Sequence, residues 1–271
     1  MHQALFVIST GRCGTQWLAH ALRSACGEEA EVTHEPLHSG YVPRKMLAAA
    51  DPAKLDQANA DVILAHLARI EEVLRSRAYI ECGHPLWSTL PYLLKRFAGR
   101  VCVLHLVRHP IPTALSWLAQ QAYCPPLAPH LSIKELLSPF DEGIRFIAYR
   151  DRWPELSPYE KALFYWLEVN AFALRLEQRS DGPWLRLRFE EMFSAAALKT
   201  LLAFAGIDAT DIAYVPPAMD EHPYLAGFWS DPALIARHPD VIELAKALGY
   251  DALDFDAAKL RRRYLGDGAA G

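Results

Sequence analysis

Two arginines follow apolar runs of the sequence at places where an anion could bind. The run ALFVIS, residues 4–9, leads into GRCGT, which carries Arg12 between two glycines. Farther along, VCVLHLV, residues 101–107, leads directly into Arg108. Where a strand passes through a turn into a helix, the first N–H groups of the helix are unpaired and its dipole is positive. An arginine there adds a fixed charge that can bind an oxyanion through two hydrogen bonds. The sequence therefore predicts an anion site at each of these turns.

The first turn lacks the lysine of a nucleoside-triphosphate loop. A Walker A loop reads GxxxxGK[ST], whereas here Gly14 comes three positions after Gly11 and Thr15 follows it. The two glycines let the backbone approach an anion because they carry no Cβ, and Thr15 can add a hydroxyl. The turn thus suits a smaller terminal group than a triphosphate with its magnesium. On this stretch alone, an ordinary strand-to-helix turn with a solvated arginine is an equal alternative.

The second turn repeats this arrangement at the end of another strand. Pro110 and Pro112 fix the turn and open a helix, and Ser116 lies eight residues after Arg108. That separation is about two helical turns. Taken alone, Arg108 is better explained as a salt-bridged surface arginine and Ser116 as an ordinary helix residue. Together with the first turn, they predict one ligand with phosphates at two places, because the carboxyl ends of parallel strands share one edge.

Short apolar strands alternate with helical patterns along the chain. The sequence predicts strands at residues 4–9, 31–35, 78–83, 101–107 and 184–189, and helices at residues 15–26, 55–77, 90–99, 111–123, 158–179 and 193–204. This alternation predicts an α/β fold, a three-layer sandwich around a central parallel sheet of about five strands, like that of P-loop NTPases. We expect one domain over residues 1–271, with its core at about 4–205. Prolines and aromatic residues crowd residues 213–232, which we interpret as an irregular loop, a candidate lid or acceptor loop.

The composition excludes several classes of protein. The 271 residues are 52 % hydrophobic and 22 % charged, and the net charge of −4 argues against nucleic acid as a partner. The five cysteines form no CxxC pair, so we expect no disulfide framework, no structural zinc and a reducing compartment. No stretch approaches the roughly 18 apolar residues of a membrane span. We therefore predict a cytoplasmic protein, and a homodimer stays open as its assembly.

Three segments together resemble the sulfotransferase family. STGRCGTQWL (9–18) is similar to the 5′-phosphosulfate loop of these enzymes, VRHPIPTALSWL (107–118) to their 3′-phosphate motif and LRLRFEEMF (185–193) to their fifth strand. The resemblance implies the donor 3′-phosphoadenosine 5′-phosphosulfate (PAPS). It implies in-line transfer of a sulfuryl group to a hydroxyl, or as second choice an amine, with release of adenosine 3′,5′-bisphosphate (PAP). The implied acceptor is a small molecule, a carbohydrate or a lipid.

The resemblance also implies which residues bind the donor. The 5′-phosphosulfate would be bound by Arg12, Cys13, Gly14, Thr15, Gln16 and Trp17, the 3′-phosphate by Arg108 and Ser116, and the adenine would lie near Phe189. Gln16 departs from the second threonine that is common in the family, and Phe189 departs from a tyrosine. The RKGxxGDW stretch of the cytosolic animal branch is missing, which places the chain with bacterial-type or divergent members.

A metal-free mechanism is expected because the phosphosulfate carries less charge than a triphosphate. Arg12 would stabilise the charge that grows on the bridging oxygen. Two segments offer candidates for the base that takes the acceptor's proton. THEP supplies His34 and Glu35, the latter 23 residues beyond Arg12, where several sulfotransferase branches carry their base. ECGHPLWSTLP supplies His84, which resembles the histidine of the animal cytosolic branch.

We favour the His34–Glu35 pair over His84 as the base. A histidine titrates near neutral pH, whereas a glutamate would need a raised pKa to act as an effective base. Two other functions compete with sulfuryl transfer. One is a P-loop-type nucleotide kinase, which the missing GK[ST] disfavours, and the other is a non-catalytic module that binds a nucleotide or phosphate.

Overall fold

The central element of the fold is a five-stranded parallel sheet. The computed structural model of the chain describes residues 2–41, 60–126, 136–208, 216 and 229–265. The strands are β1 (Ala4–Ile8), β2 (Ala30–His34), β3 (Ala78–Cys82), β4 (Val101–Val107) and β5 (Trp184–Arg188). Their order in the sheet is β2-β3-β1-β4-β5, and every pair is parallel. Each strand lies within one residue of its predicted bounds.

Helices connect the strands and continue beyond the sheet. They are α1 (Thr15–Cys26), α2 (Ala60–Val73), α3 (Leu90–Arg96), α4 (Pro110–Leu118), α5 (Pro158–Glu177), α6 (Ala195–Phe204), α7 (Pro239–Ala247) and α8 (Ala257–Leu265). Short 3-10 turns at His38–Tyr41 and His84–Ser88 follow β2 and β3 and carry residues of the candidate site.

The sheet is buried on both faces, which explains why its strands are nearly continuous apolar runs. In β1, Phe6 and Ile8 face one core cluster, which also contains residues of α2, α3, α4 and α5. Leu5 and Val7 face the other cluster, which contains residues of α1 and α6. The predicted three-layer α/β fold with five parallel strands is confirmed.

Several helix ends differ from the predicted ones. The helix expected over 111–123 ends at Leu118, because Gln121 and Tyr123 turn into the left-handed region at φ 58° and 60°. Helix α6 begins at Ala195 rather than 193, because the Ser194 side chain caps it. Residues 55–59 of the predicted helix 55–77 lie outside the described residues, as do 213–215 and 217–228 of the candidate lid. In the part of the chain that is described, no helix combines the length and the apolar character needed to cross a bilayer.

The topology places the ends of β1 and β4 side by side. Strand β1 lies between β3 and β4, and the chain after β1 runs to the β2–β3 side before it returns to β4. Such a reversal of strand order opens a crevice at the carboxyl edge, where open α/β sheets bind ligands. Arg12 and Arg108 follow the two strands that flank this crevice, so both lie at the same edge of the sheet.

Candidate active site

The turn after β1 depends on glycine at two positions. Gly11 and Gly14 both have φ of +73°, a conformation that L side chains rarely adopt. A Cβ at Gly11 would lie 2.7 Å from Cζ2 of Trp117 and 2.9 Å from Cγ of His84. Gly14 precedes α1, and no side chain of the described residues caps that helix. The backbone N–H groups of its first turn therefore face the crevice with no capping side chain competing for them.

The two arginine-bearing turns form one cluster. Nε of Arg12 donates to Oγ of Ser116 at 2.9 Å, and Nη1 of Arg108 donates to the carbonyl oxygen of Arg12 at 2.6 Å. The Arg108 guanidinium also lies over the ring of Phe189, 4.4 Å from its centroid. Only 8 % of Arg108 is exposed, and no carboxylate of the described residues pairs with it. A buried cation without a counter-charge is costly, so this corner suits an anionic ligand.

The backbone around Arg108 is fixed on both sides. Nε1 of Trp166 donates to the Arg108 carbonyl oxygen at 2.9 Å, and the Tyr250 hydroxyl donates to the Val107 carbonyl oxygen at 3.0 Å. The side chain of His109 accepts from the backbone N–H of Ile111 and thereby caps α4. These contacts hold the guanidinium at the sheet edge. The sequence gives no signal for Trp166 and Tyr250, because they lie 58 and 143 residues from their partners.

The rival base candidates lie in one row of contacting polar side chains. Nε2 of His34 lies 3.2 Å from the Thr15 hydroxyl and 3.8 Å from Oε1 of Glu35. The same Oε1 of Glu35 lies 3.0 Å from Nδ1 of His84. The His84 ring packs edge-on against Trp117 at 5.3 Å and borders Gly11 of the first turn. The structure thus brings Thr15, both histidines and the glutamate together beside the anion loop.

The electrostatics separate the roles of these groups. Burial alone would raise the pKa of Glu35, but the hydrogen bond from His84 and the nearby His84 and His34 charges outweigh it and lower that pKa to about 2. This is opposite to the upward shift that a glutamate base would need. Burial lowers the pKa of His34. A carboxylate at Glu35 accepts the Nδ1–H of His84, and the neutral ring then keeps a lone pair on Nε2.

The remaining predicted site residues take varied positions. The Cys13 thiol is fully buried and donates to the Gly11 carbonyl oxygen at 3.1 Å, so only the backbone at this position can face a ligand. Gln16 is exposed in the first turn of α1. Trp17 packs on Phe193 at 4.7 Å, and Phe193 packs on Phe189 at 4.9 Å, an aromatic group that borders Gly14. The described residues contain no group of three or more His, Cys, Asp or Glu that could hold a metal ion.

No protein-family model and no curated protein matches the sequence. Solved structures do match. The sulfotransferase domain of the olefin synthase from Synechococcus PCC 7002 superimposes with a TM-score of 0.53 over 92 % of this chain and 96 % of that domain, at 19 % identity. The chain has the sulfotransferase fold. A sulfotransferase from Alicyclobacillus acidocaldarius (TM-score 0.49, 15 % identity, 97 % of this chain and 100 % of that one) also matches. A mouse sulfotransferase complexed with PAP has a TM-score of 0.44 at 20 % identity, over 77 % of this chain and 61 % of that one.

On this sulfotransferase fold, the two turns that resemble the donor-binding motifs lie at adjacent strand ends. The two turns follow β1 and β4, and the segment that resembles the fifth strand of the family overlaps β5. The fold therefore agrees with the family that the sequence resembles.

Proposed function

We propose that the chain is a PAPS-dependent sulfotransferase that acts on a hydroxyl or, as second choice, an amine. In this reaction the acceptor oxygen or nitrogen forms a bond to sulfur, and the bond from sulfur to the oxygen of the 5′-phosphate breaks. The electron pair of the broken bond stays on that phosphate oxygen, and the acceptor's proton passes to a base. The products are the sulfated acceptor and PAP.

One observation carries the proposal: two turns far apart in the chain form a single cationic cluster. Arg12 bonds Ser116, and Arg108 bonds the backbone of Arg12. A ligand with an anionic group at each end of a nucleoside would contact both turns at once. The burial of Arg108 without a carboxylate partner among the described residues supports an anionic ligand at that end. Each charge-assisted hydrogen bond is worth about 1.5–3 kcal/mol, so a few of them suffice for specific binding.

The turn after β1 would hold the phosphosulfate end of the donor. PAPS supplies a sulfuryl group already joined to a good leaving group, so catalysis needs positioning and charge stabilisation. The first-turn N–H groups of α1 and the Thr15 hydroxyl orient the anion. Arg12, already held by Ser116, places its positive charge beside the oxygen on which negative charge grows. Removal of a single preorganised donor of this kind lowers the rate about 10²–10³-fold.

We assign the base to His84 and an orienting role to Glu35. Glu35 with a pKa of about 2 is ionised and a weak base at neutral pH. Its carboxylate instead fixes the Nδ1–H tautomer of His84, which leaves Nε2 as the atom that accepts the proton of the acceptor. Nε2 is buried in the structure, so this role requires that binding of the acceptor expose it. His34 lies on the other side of Glu35 from His84 and contacts Thr15. We therefore assign His34 to donor binding.

The direct test of this function is transfer of labelled sulfate from PAPS. The protein is incubated with ³⁵S-labelled PAPS, without metal and with a chelator, and with a panel that contains a phenol, a sugar and a long-chain alcohol. We expect a labelled product, PAP release in equal amount and loss of both in the Arg108→Ala variant. PAP binding without transfer to any acceptor would favour the binding module, and magnesium-dependent ATP binding would favour the kinase.

A further inference from the structure

A fully buried carboxylate lies in β3, three residues before His84. Glu81 has no exposed surface, and three donors from different parts of the chain contact it. Tyr41 donates to Oε1, the Tyr79 hydroxyl donates to Oε2 at 2.8 Å, and Nε2 of His66 lies 2.9 Å from Oε2. Burial of a carboxylate costs stability unless such donors satisfy it. An apolar residue would fill this place in a sheet more cheaply, which indicates that the cluster has a further role.

The turn that carries Glu35 has a strained backbone. Glu35 and His38 both have φ of 45° although neither is glycine, and such conformations persist only where surrounding contacts fix them. One contact lies at the start of the turn, where the Glu35 N–H donates to the Cys82 carbonyl oxygen at 3.1 Å. The other lies at its end, where Tyr41 donates to Glu81. Both contacts tie this turn to β3.

We propose that Glu81 is a positioning residue for the Glu35–His84 pair, an inference that rests on the proposed function. Glu81 holds the end of the Glu35 turn through Tyr41, and its own strand leads through Gly83 into His84. The Glu35 side chain crosses Gly83 so closely that a Cβ there would lie 2.6 Å from Cγ of Glu35. The separation of Glu35 and His84 is therefore set by the register between this turn and β3. When the Tyr41 contact is lost, the strained turn relaxes and the 3.0 Å contact between Glu35 and His84 opens.

Two tyrosines on the same carboxylate provide a matched pair of variants. Tyr41→Phe removes the hydroxyl that ties the Glu35 turn to Glu81. Tyr79→Phe removes a hydroxyl from the same carboxylate, but Tyr79 lies on the strand of Glu81 itself. Its hydroxyl also contacts Thr33 of β2 at 3.0 Å, which lies in the strand before the turn, and among the described residues it makes no hydrogen bond to the Glu35–Tyr41 segment. We expect Tyr41→Phe to lower kcat about tenfold, with the KM for PAPS and the Kd for PAP unchanged, because a misplaced base slows only the chemical step. The kcat of Tyr79→Phe should stay within about twofold of that of the unsubstituted protein.

A control variant accounts for a general loss of stability. Glu31 on β2 pairs with Arg69 of α2 at 2.6 Å and with Arg77 at 2.7 Å, at the end of the sheet remote from His84. Glu31→Gln removes a carboxylate that joins β2 to α2, the helix that also contacts Glu81 through His66, and it should leave kcat unchanged. Glu81→Gln, with its amide in place of the carboxylate, serves as a second variant of the cluster and should resemble Tyr41→Phe.

The orientation of His84 can be read without turnover. A proton on Nδ1 that is held by Glu35 exchanges slowly with water and gives a downfield proton resonance in ¹⁵N-histidine-labelled protein. We expect this resonance in the unsubstituted protein and in Tyr79→Phe, and its loss in Tyr41→Phe and Glu81→Gln. The inference is overturned if Tyr41→Phe keeps both the resonance and kcat. It is also overturned if Tyr79→Phe lowers kcat and the resonance as much as Tyr41→Phe does. Absence of sulfate transfer in the unsubstituted protein would overturn the proposed function, while the resonance would still decide the positioning role.

Discussion

Nε of Arg12 donates to Oγ of Ser116 at 2.9 Å, although 104 residues separate them in the chain. The contact forms because Ser116 lies on α4, the helix that Arg108 and the turn after β4 introduce, while β4 lies next to β1. Arg108 closes the link from its own side by donating to the backbone of Arg12. Two segments that each resemble a donor-binding motif are therefore joined by hydrogen bonds into one cationic corner.

Replacement of Arg108 should discriminate between two nucleotides. Arg108→Ala should weaken PAP about 10–100-fold but adenosine 5′-phosphate less than about threefold, because each lost charge-assisted hydrogen bond costs about 1.5–3 kcal/mol and only PAP carries a 3′-phosphate. Calorimetric titration of both ligands measures this. Arg188→Ala is the control, since Arg188 lies at the same sheet edge but pairs with Glu191. Equal losses for the two nucleotides in Arg108→Ala would remove the 3′-phosphate assignment.

Replacement of each base candidate should rank the three groups by their effect on kcat. His84→Ala and Glu35→Gln should lower kcat by about 10²–10⁴ and spare PAP affinity, in the range seen when a general base or its support is lost. His34→Ala should lower kcat less and weaken PAP, because His34 contacts Thr15 of the anion loop. Steady-state kinetics with a saturating donor, together with PAP titrations, measure both effects. If His84→Ala keeps kcat within tenfold, the base has been assigned wrongly.

Two glycines with positive φ should respond differently to alanine. Gly11→Ala introduces a Cβ 2.7 Å from Trp117 in addition to backbone strain, whereas Gly27→Ala at φ +54° meets nothing within 4 Å. Gly27 has φ 54° and ψ −124°, which lies outside the αL region and is sparsely populated by residues with a Cβ. We therefore expect Gly27→Ala to lower the free energy of unfolding by about 1–3 kcal/mol with PAP binding intact. Gly11→Ala should lose a further ~1–3 kcal/mol through the forced contact and bind PAP weakly. Urea unfolding and PAP titration of both variants test this. An equal loss of unfolding free energy in the two variants would contradict the close approach of Gly11 to Trp117.

Stability should fall in mild acid because of His105. This β4 residue is 1 % exposed, and burial lowers its pKa to about 4. Between pH 6.5 and about 4 the unfolded chain binds a proton at this position that the folded chain does not. The free energy of unfolding therefore decreases as the pH falls through this window, by at most about 1.4 kcal/mol per pH unit for one proton.

The matching variant is His105→Gln, whose side chain does not titrate. Urea unfolding between pH 7 and 4 should show a shallower decline in the variant than in the unsubstituted protein, whatever the two free energies are at pH 7. Parallel declines would mean that His105 takes up its proton in the folded state as readily as in the unfolded one.

The sequence predicts the fold better than it predicts the contacts within the site. Strands β1 and β4 are recognisable because both faces of a parallel strand are buried, and α1 has the predicted bounds because glycines flank it at Gly14 and Gly27. The contact between Glu35 and His84 has no signature, because it depends on a register that joins residues 49 positions apart. The Tyr41–Glu81 contact is hidden for the same reason.

The roles of single side chains also needed the structure. The spacing of Arg108 and Ser116 suggested a shared ligand, but the Arg12–Ser116 contact follows from the packing of α4 beside the first turn. The pKa of Glu35 could not be inferred from sequence, because its direction depends on the balance between burial and the two histidines.

The central claim is that one cationic corner binds a doubly phosphorylated nucleoside without metal. Its most direct test is the melting temperature of the protein with PAP in the presence of a chelator. At 100 times its Kd a ligand adds about 2.7 kcal/mol of stability, so we predict a rise of about 5 °C or more with PAP and a smaller one with adenosine 5′-phosphate. No shift at millimolar PAP would contradict the account.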